Sequence, residues 1–123
     1  MNKPASWMVV ALIALIEVAG AHVAQAAVTN REPYDVAIRC FVANGIASGQ
    51  RQRAGDLAKA AYYESKAKES FGVAYGLGDI LKFSRAQIDA DFERALKVEA
   101  PAMRRDQPYF YRVVAECKAY QLM

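Results

Sequence analysis

From residue 34 onward, apolar side chains recur at three- and four-residue intervals, the spacing of one helix face. Sustained two-residue alternation, the mark of a half-buried strand, is missing. Tyr34, Ala37, Ile38, Phe41 and Val42 form one stripe and predict a first helix over residues 34–48. Pro33 sits where a first turn tolerates proline, Asp35 suits the positive end of the dipole, and Gly49 is the expected stop. A second helix is predicted from about Arg53, with Leu57, Ala58, Ala61, Tyr62, Ser65, Phe71 and Tyr75 along it. Carried through to Lys82 it would overhang its neighbours, so a bend or break is expected between Gly72 and Gly78.

Ser84 followed by Gln87 reads as a capping box and starts a third helix, with Ile88, Phe92, Ala95, Leu96 and Met103 as its buried stripe. Pro101 disfavours helical geometry at Ala100, so that helix is expected to stop or kink near Glu99. Asp106, Gln107 and Pro108 then open a fourth helix carrying Phe110, Val113, Val114, Cys117 and Tyr120. Four helices with short links predict an all-α fold, a small antiparallel bundle of up-down-up-down topology. In that topology Cys40, early in the first helix, and Cys117, late in the last, come to similar heights. A single disulfide, Cys40 to Cys117, is predicted to close the bundle.

Residues 1–26 have a different pattern. A short positive start ending at Lys3, an unbroken apolar run from Trp7 to Ile16, and Ala24-Gln25-Ala26 form a signal peptide cut after Ala26. Glu17 and the short apolar core argue against an uncleaved membrane span, which needs about 20 apolar residues. The organisation expected is therefore a signal peptide over 1–26, a linker over 27–33 and a helical domain over 34–123. The destination implied is a bacterial periplasm or the exterior, where paired thiols oxidise and the mature chain has no stable membrane insertion.

The net charge is +3, from 16 Lys and Arg against 13 Asp and Glu. Arg51 with Arg53 and Arg104 with Arg105 are the densest basic spots, too short for tracking a phosphate backbone, so nucleic acid is not an expected partner. His22, the one histidine, falls in the leader. The mature chain thus lacks imidazole for zinc, haem or a catalytic triad, and neither metal nor cofactor is implied.

Other motifs carry less. Ser65 and Lys68 have the spacing of a serine–lysine nucleophile without its partner motifs. Asp89 and Glu93 lie one turn apart, among Arg85, Arg94 and Lys97, as a salt-bridged face would. Gly45 with Gly49, and Gly72 with Gly76, are expected to permit close helix crossing or chain bends. The tyrosines are too many for every hydroxyl to be satisfied in one small core, so Tyr63, Tyr109 and Tyr111 are the candidate partner-binding residues.

Gly76, Phe92, Ala95 and Leu96, with Pro101 just beyond, resemble the spacing of a single tetratricopeptide repeat. The resemblance covers about a quarter of the chain and implies a helical hairpin that binds peptides. Asp79 stands where the repeat has tyrosine, the proline is displaced by one, and no second copy follows. The function expected is that of a non-catalytic exported binding, accessory or protective protein with a protein or cell-envelope partner. The alternatives are a small envelope enzyme that uses two carboxylates on cell-wall glycans, and the peptide-binding hairpin.

Overall fold

The computed structural model describes residues 31–123, so the expected leader over 1–26 and linker positions 27–30 lie outside the described residues. Helix α1 occupies 31–53, taking in the last three expected linker positions. Helix α2 is Leu57–Ile80, α3 is Arg85–Arg94, α4 is Ala100–Arg105 and α5 is Gln107–Ala119. A π-helical turn, Ala95–Glu99, joins α3 to α4 without a break, so these three make one rod. Among the described residues there is no strand.

Contacts along α1 set the directions of the others. Ser48 Oγ donates to the Ala60 carbonyl at 2.9 Å, and the Phe41 ring meets Phe71 at 5.8 Å, so α2 runs back along α1. The third rod runs with α1, since Tyr34 OH donates to Asp91 Oδ2 at 2.6 Å while Ile46 shares a groove with Met103 further on. Helix α5 returns, and the Cys40–Cys117 disulfide ties it to α1 with Cα atoms 5.6 Å apart. The molecule is an antiparallel helical bundle closed by one disulfide.

α1 is the buried element. Tyr34, Val36, Ala37, Cys40, Ala43 and Asn44 are all fully buried, and they point around more than one face. Arg39 is the single charged residue between 36 and 50, and its Nε and Nη2 donate to Glu116 Oε1 at 3.0 and 2.7 Å. Burial works against the Arg39 charge, but the Glu116 hydrogen bond and carboxylate outweigh it and hold the guanidinium pKa above its usual value. Asn44 Nδ2 donates to the carbonyls of Cys40 and Leu122, both at 2.8 Å, which pins the C-terminal turn onto α1.

Helix ends depart from the sequence expectation at the glycines. α1 continues through Gly49, because glycine ends a helix only where the chain turns left-handed. That residue is Gly55, at φ 78°, after which Asp56 Oδ1 accepts from Lys59 N at 3.1 Å and starts α2. Likewise α2 is unbroken through Gly72, Gly76 and Gly78 and ends only at Ile80. Lys82 takes the left-handed conformation there, at φ 62°, while Phe83 N donates to the Gly78 carbonyl at 2.9 Å.

Of the positions read along α2, Phe71 and Tyr75 pack against core rings, but the fully inward positions are others. Ala60, Ala67, Ser70, Ala74 and Gly78 face inward, whereas Leu57 is 71% and Tyr62 49% exposed, and Ala58, Ala61 and Ser65 are exposed too. A seam of small residues lets α2 lie close against α1, and Ser70 offsets its burial by donating to the Lys66 carbonyl at 2.9 Å. Gly78 is tight against two neighbours: a Cβ there would come within 2.6 Å of Ile88 Cδ1 on α3 and 3.4 Å of Tyr34 Cε2 on α1. In the third rod Ile88, Phe92, Ala95 and Met103 are buried as expected, but Leu96 is 52% exposed.

The glycines of α2 should therefore respond in opposite directions to alanine. Gly72→Ala and Gly76→Ala, each with open space around the new methyl, are expected to raise stability by about 0.5–1 kcal/mol in urea unfolding. Gly78→Ala is expected to lower it by about 1–3 kcal/mol through overpacking against Ile88. Removing the bridge by Cys40→Ala with Cys117→Ala should cost about 2–4 kcal/mol, since it closes a long loop in the unfolded chain.

Candidate functional site

The site begins with Pro101. Proline has no N–H to donate to the Lys97 carbonyl, and its ring crowds that carbonyl in regular α-helix. The chain does not stop at Glu99, as expected, but widens: Ala100 N donates to the Ala95 carbonyl, five residues back. One extra residue in the turn moves the buried positions from Ala95 to Ala100 and then Met103. Arg104 and Arg105 are left exposed in the last turn of α4. Asp106, at φ −115°, ends the rod and caps α5, its Oδ1 accepting from Tyr109 N at 3.2 Å.

This junction lies against the last turns of α1. Together they line a groove of about 610 Å³. Gly45 and Gly49 of α1 contribute two positions without side chains, and Ile46, Met103 and Phe110 contribute buried apolar surface. The polar lining is Gln50, Arg53, Arg104, Arg105, Gln107 and Tyr111. No carboxylate is among the lining residues. Among the described residues none lies within 4.0 Å of the Arg53, Arg104 or Arg105 side-chain nitrogens.

The three tyrosines singled out from the sequence do not share one setting. Tyr111 is 59% exposed, lines the arginine groove, and accepts a hydrogen bond from Gln107 Nε2 at 3.0 Å. Tyr109, two residues away on the same helix, points roughly 200° around it. It lines a different groove with Arg39, Arg112 and Glu116, and its hydroxyl donates to Glu99. Tyr63 is half-buried on α2, edge-on to Tyr62 with ring centroids 5.3 Å apart. In the sequence Arg53 and the Arg104–Arg105 pair are two separate basic spots; the fold brings them to one concavity.

The acidic side chains form a separate system. A groove of about 300 Å³ between α1 and the third rod holds Asp35, Asp91 and Glu99. Arg31 reaches Asp35 at 3.4 Å, Tyr34 OH and Arg94 reach Asp91 at 2.6 and 3.7 Å, and Tyr109 OH donates to Glu99. On the outer face Asp89 accepts from Tyr75 OH, while Glu93 pairs with Lys97 at 2.9 Å. Each of these carboxylates is thus occupied by a neighbour within the fold. Lys68 lies 3.8 Å from Glu64 on the solvent face of α2, on the same side as the exposed Ser65. Gly45, Gly72 and Gly76 have no neighbour within 4 Å of a built Cβ, so close helix crossing falls to Gly78 instead.

Fold and site together define a disulfide-closed, all-helical bundle with an arginine-lined groove at one end. The chain matches no family model, no curated protein and no solved structure.

The tyrosine–carboxylate pairs make stability depend on alkaline pH. Burial first, then the Glu99 hydrogen bond and its charge, push the Tyr109 phenol up to about 12. Burial and Asp91 act the same way on Tyr34 and raise it well above its ordinary value. An unfolded tyrosine titrates near 10, so the folded state holds these protons more tightly. Their contribution is complete below about pH 10 and is lost as pH rises toward about 12. Urea unfolding should show stability falling across that interval, and Tyr34→Phe with Tyr109→Phe should flatten the fall. An equally steep fall in the double variant would assign it to other groups.

Proposed function

We propose that the protein is exported to an oxidising compartment, a bacterial periplasm or the exterior, and acts there by binding, as an accessory or protective factor. The groove at the α1–α4–α5 junction carries the reading: it is concave, sized for a ligand, and lined by three cations with no acidic partner. The carboxylates that a glycan-cleaving site would need are instead engaged by tyrosines and basic side chains of the same fold. The address is supported by the leader pattern and by the Cys40–Cys117 bridge, of a kind favoured where thiols oxidise. No helix among the described residues is long and apolar enough to cross a membrane, which is compatible with release after cleavage.

Export is tested on protein recovered from the secreting cell. Its N-terminus is expected at Ala27, and Cys40 and Cys117 should resist alkylation until reduced. An intact leader with two reactive thiols would reverse the assignment. For the binding role, pull-down from the same compartment should recover a partner or ligand that Tyr111→Ala loses. Tyr63→Ala and Tyr109→Ala, on other surfaces, should retain it. Equal recovery with all three variants would remove the Tyr111 face from consideration.

A further inference from the structure

The binding reading says nothing of what enters the groove, but its chemistry does. Arg53 ends α1, and Arg104 and Arg105 end α4, where each cation offsets the negative pole of its helix. Such placement explains one cation per helix end. It does not explain three around one concavity that has no acidic wall. The nearest acids along the chain, Asp56 and Asp106, are turned to capping, with oxygens on Lys59 N and Tyr109 N. Arginine stays charged at every physiological pH, so the groove is permanently cationic.

Its floor is as informative as its rim. Gly45 is exposed in the middle of a helix and has nothing within 4 Å of a built Cβ, so it contributes open space. A Cβ on Gly49 would lie 3.4 Å from Arg53 Nη1, which places that guanidinium over the helix backbone at the groove. Glycine is less favourable than alanine in a helix interior, and two of them on the groove floor widen it. The cavity of about 610 Å³ exceeds what an inorganic ion fills, and Gln50, Gln107 and Tyr111 offer neutral hydrogen-bonding groups beside the cations.

Resting on the reading that the protein acts by binding, we propose that this groove binds a phosphate monoester, with Arg53, Arg104 and Arg105 on the phosphoryl oxygens and Gln50, Gln107 and Tyr111 beside the organic portion. A dianion with three terminal oxygens offsets two of the three guanidinium charges and offers each fork an acceptor. The ester can be a small soluble molecule or an exposed lipid headgroup, since both present the same group.

The test titrates the mature oxidised protein with three probes: inorganic phosphate, glucose 6-phosphate, and phosphatidylcholine vesicles containing phosphatidic acid. Amide shifts are read by NMR. Saturable shifts confined to Gly45, Gly49, Gln107 and Tyr111, with glucose 6-phosphate binding more tightly than phosphate, are expected for a soluble ligand. The same residues responding to the vesicles, with glucose 6-phosphate no tighter than phosphate, would identify a headgroup. Arg53→Gln with Arg104→Gln should weaken binding about tenfold or more. Gly45→Leu should do the same while keeping every charge, because it fills the floor. Binding that Gly45→Leu leaves intact, shifts spread over other basic side chains, or no saturation by about 10 mM would overturn the proposal. If the probes fail while Tyr111→Ala still abolishes partner capture, the phosphate assignment falls and the binding reading stands. If both fail, neither survives.

Discussion

Between residues 36 and 50 the chain carries one charge, Arg39, and a helix so short of polar side chains has to be covered around most of its circumference. α2, the third rod and α5 each pack on α1, and each solves a part of that problem. α2 lies close because its inward residues are alanine, serine and glycine. The third rod supplies the bulk, with Ile88, Phe92 and Met103, and α5 supplies Phe110, Val113 and the second cysteine. The one charge in that stretch, Arg39, is met by Glu116, next to Cys117, so the covalent tie and the ion pair fix the same height. Breaking such a half-buried pair strands the remaining charge, while the bridge removes entropy from the unfolded chain. The two act on opposite sides of the folding equilibrium.

This arrangement explains what the sequence disclosed and what it hid. Helix type was legible throughout, because three- and four-residue spacing survives even when the burial side is misjudged. The cap residues Ser84 and Asp106 were legible for a local reason: an oxygen that accepts from an amide three residues on acts wherever the chain goes. The burial side of α2 was legible only at Phe71 and Tyr75, since exposed Leu57 and Tyr62 outweigh the small inward residues in any hydrophobicity pattern. Small residues are buried here for the space they leave, a property of the neighbouring helix. Asn44-Gly45 is a strong hairpin signal, yet it lies within α1. Burial of the flanking Val42, Ala43, Ile46 and Ala47, with Asn44 bonded to two carbonyls, overrides the local turn preference.

Pro101 shows how a local defect is put to use. A proline inside a helix can end it, kink it, or be absorbed by a wider turn. Absorption keeps the rod straight enough for Met103 to reach the core and for the rod to end beside the last turns of α1. Stopping at Glu99 would have left Arg104 and Arg105 in a link. The groove thus depends on a π turn whose cause lies in the sequence but whose outcome depends on the packing of Ala95, Ala100 and Met103.

The contrast between the two ends of α1 bears on where function lies. Near its start, acids and bases are interleaved: Arg31 with Asp35, Tyr34 with Asp91, Arg94 with Asp91. Charges there are neutralised within the fold, as in a region whose role is to hold helices together. Near its end three arginines are exposed around glycines, and the adjacent acids are committed to capping. Mutual repulsion among like charges costs stability, modestly so at a solvated surface and less with salt. The fold thus pairs its charges at one end of α1 and, at the other, leaves three arginines in a concavity without an acidic partner, which is the observation the binding proposal rests on.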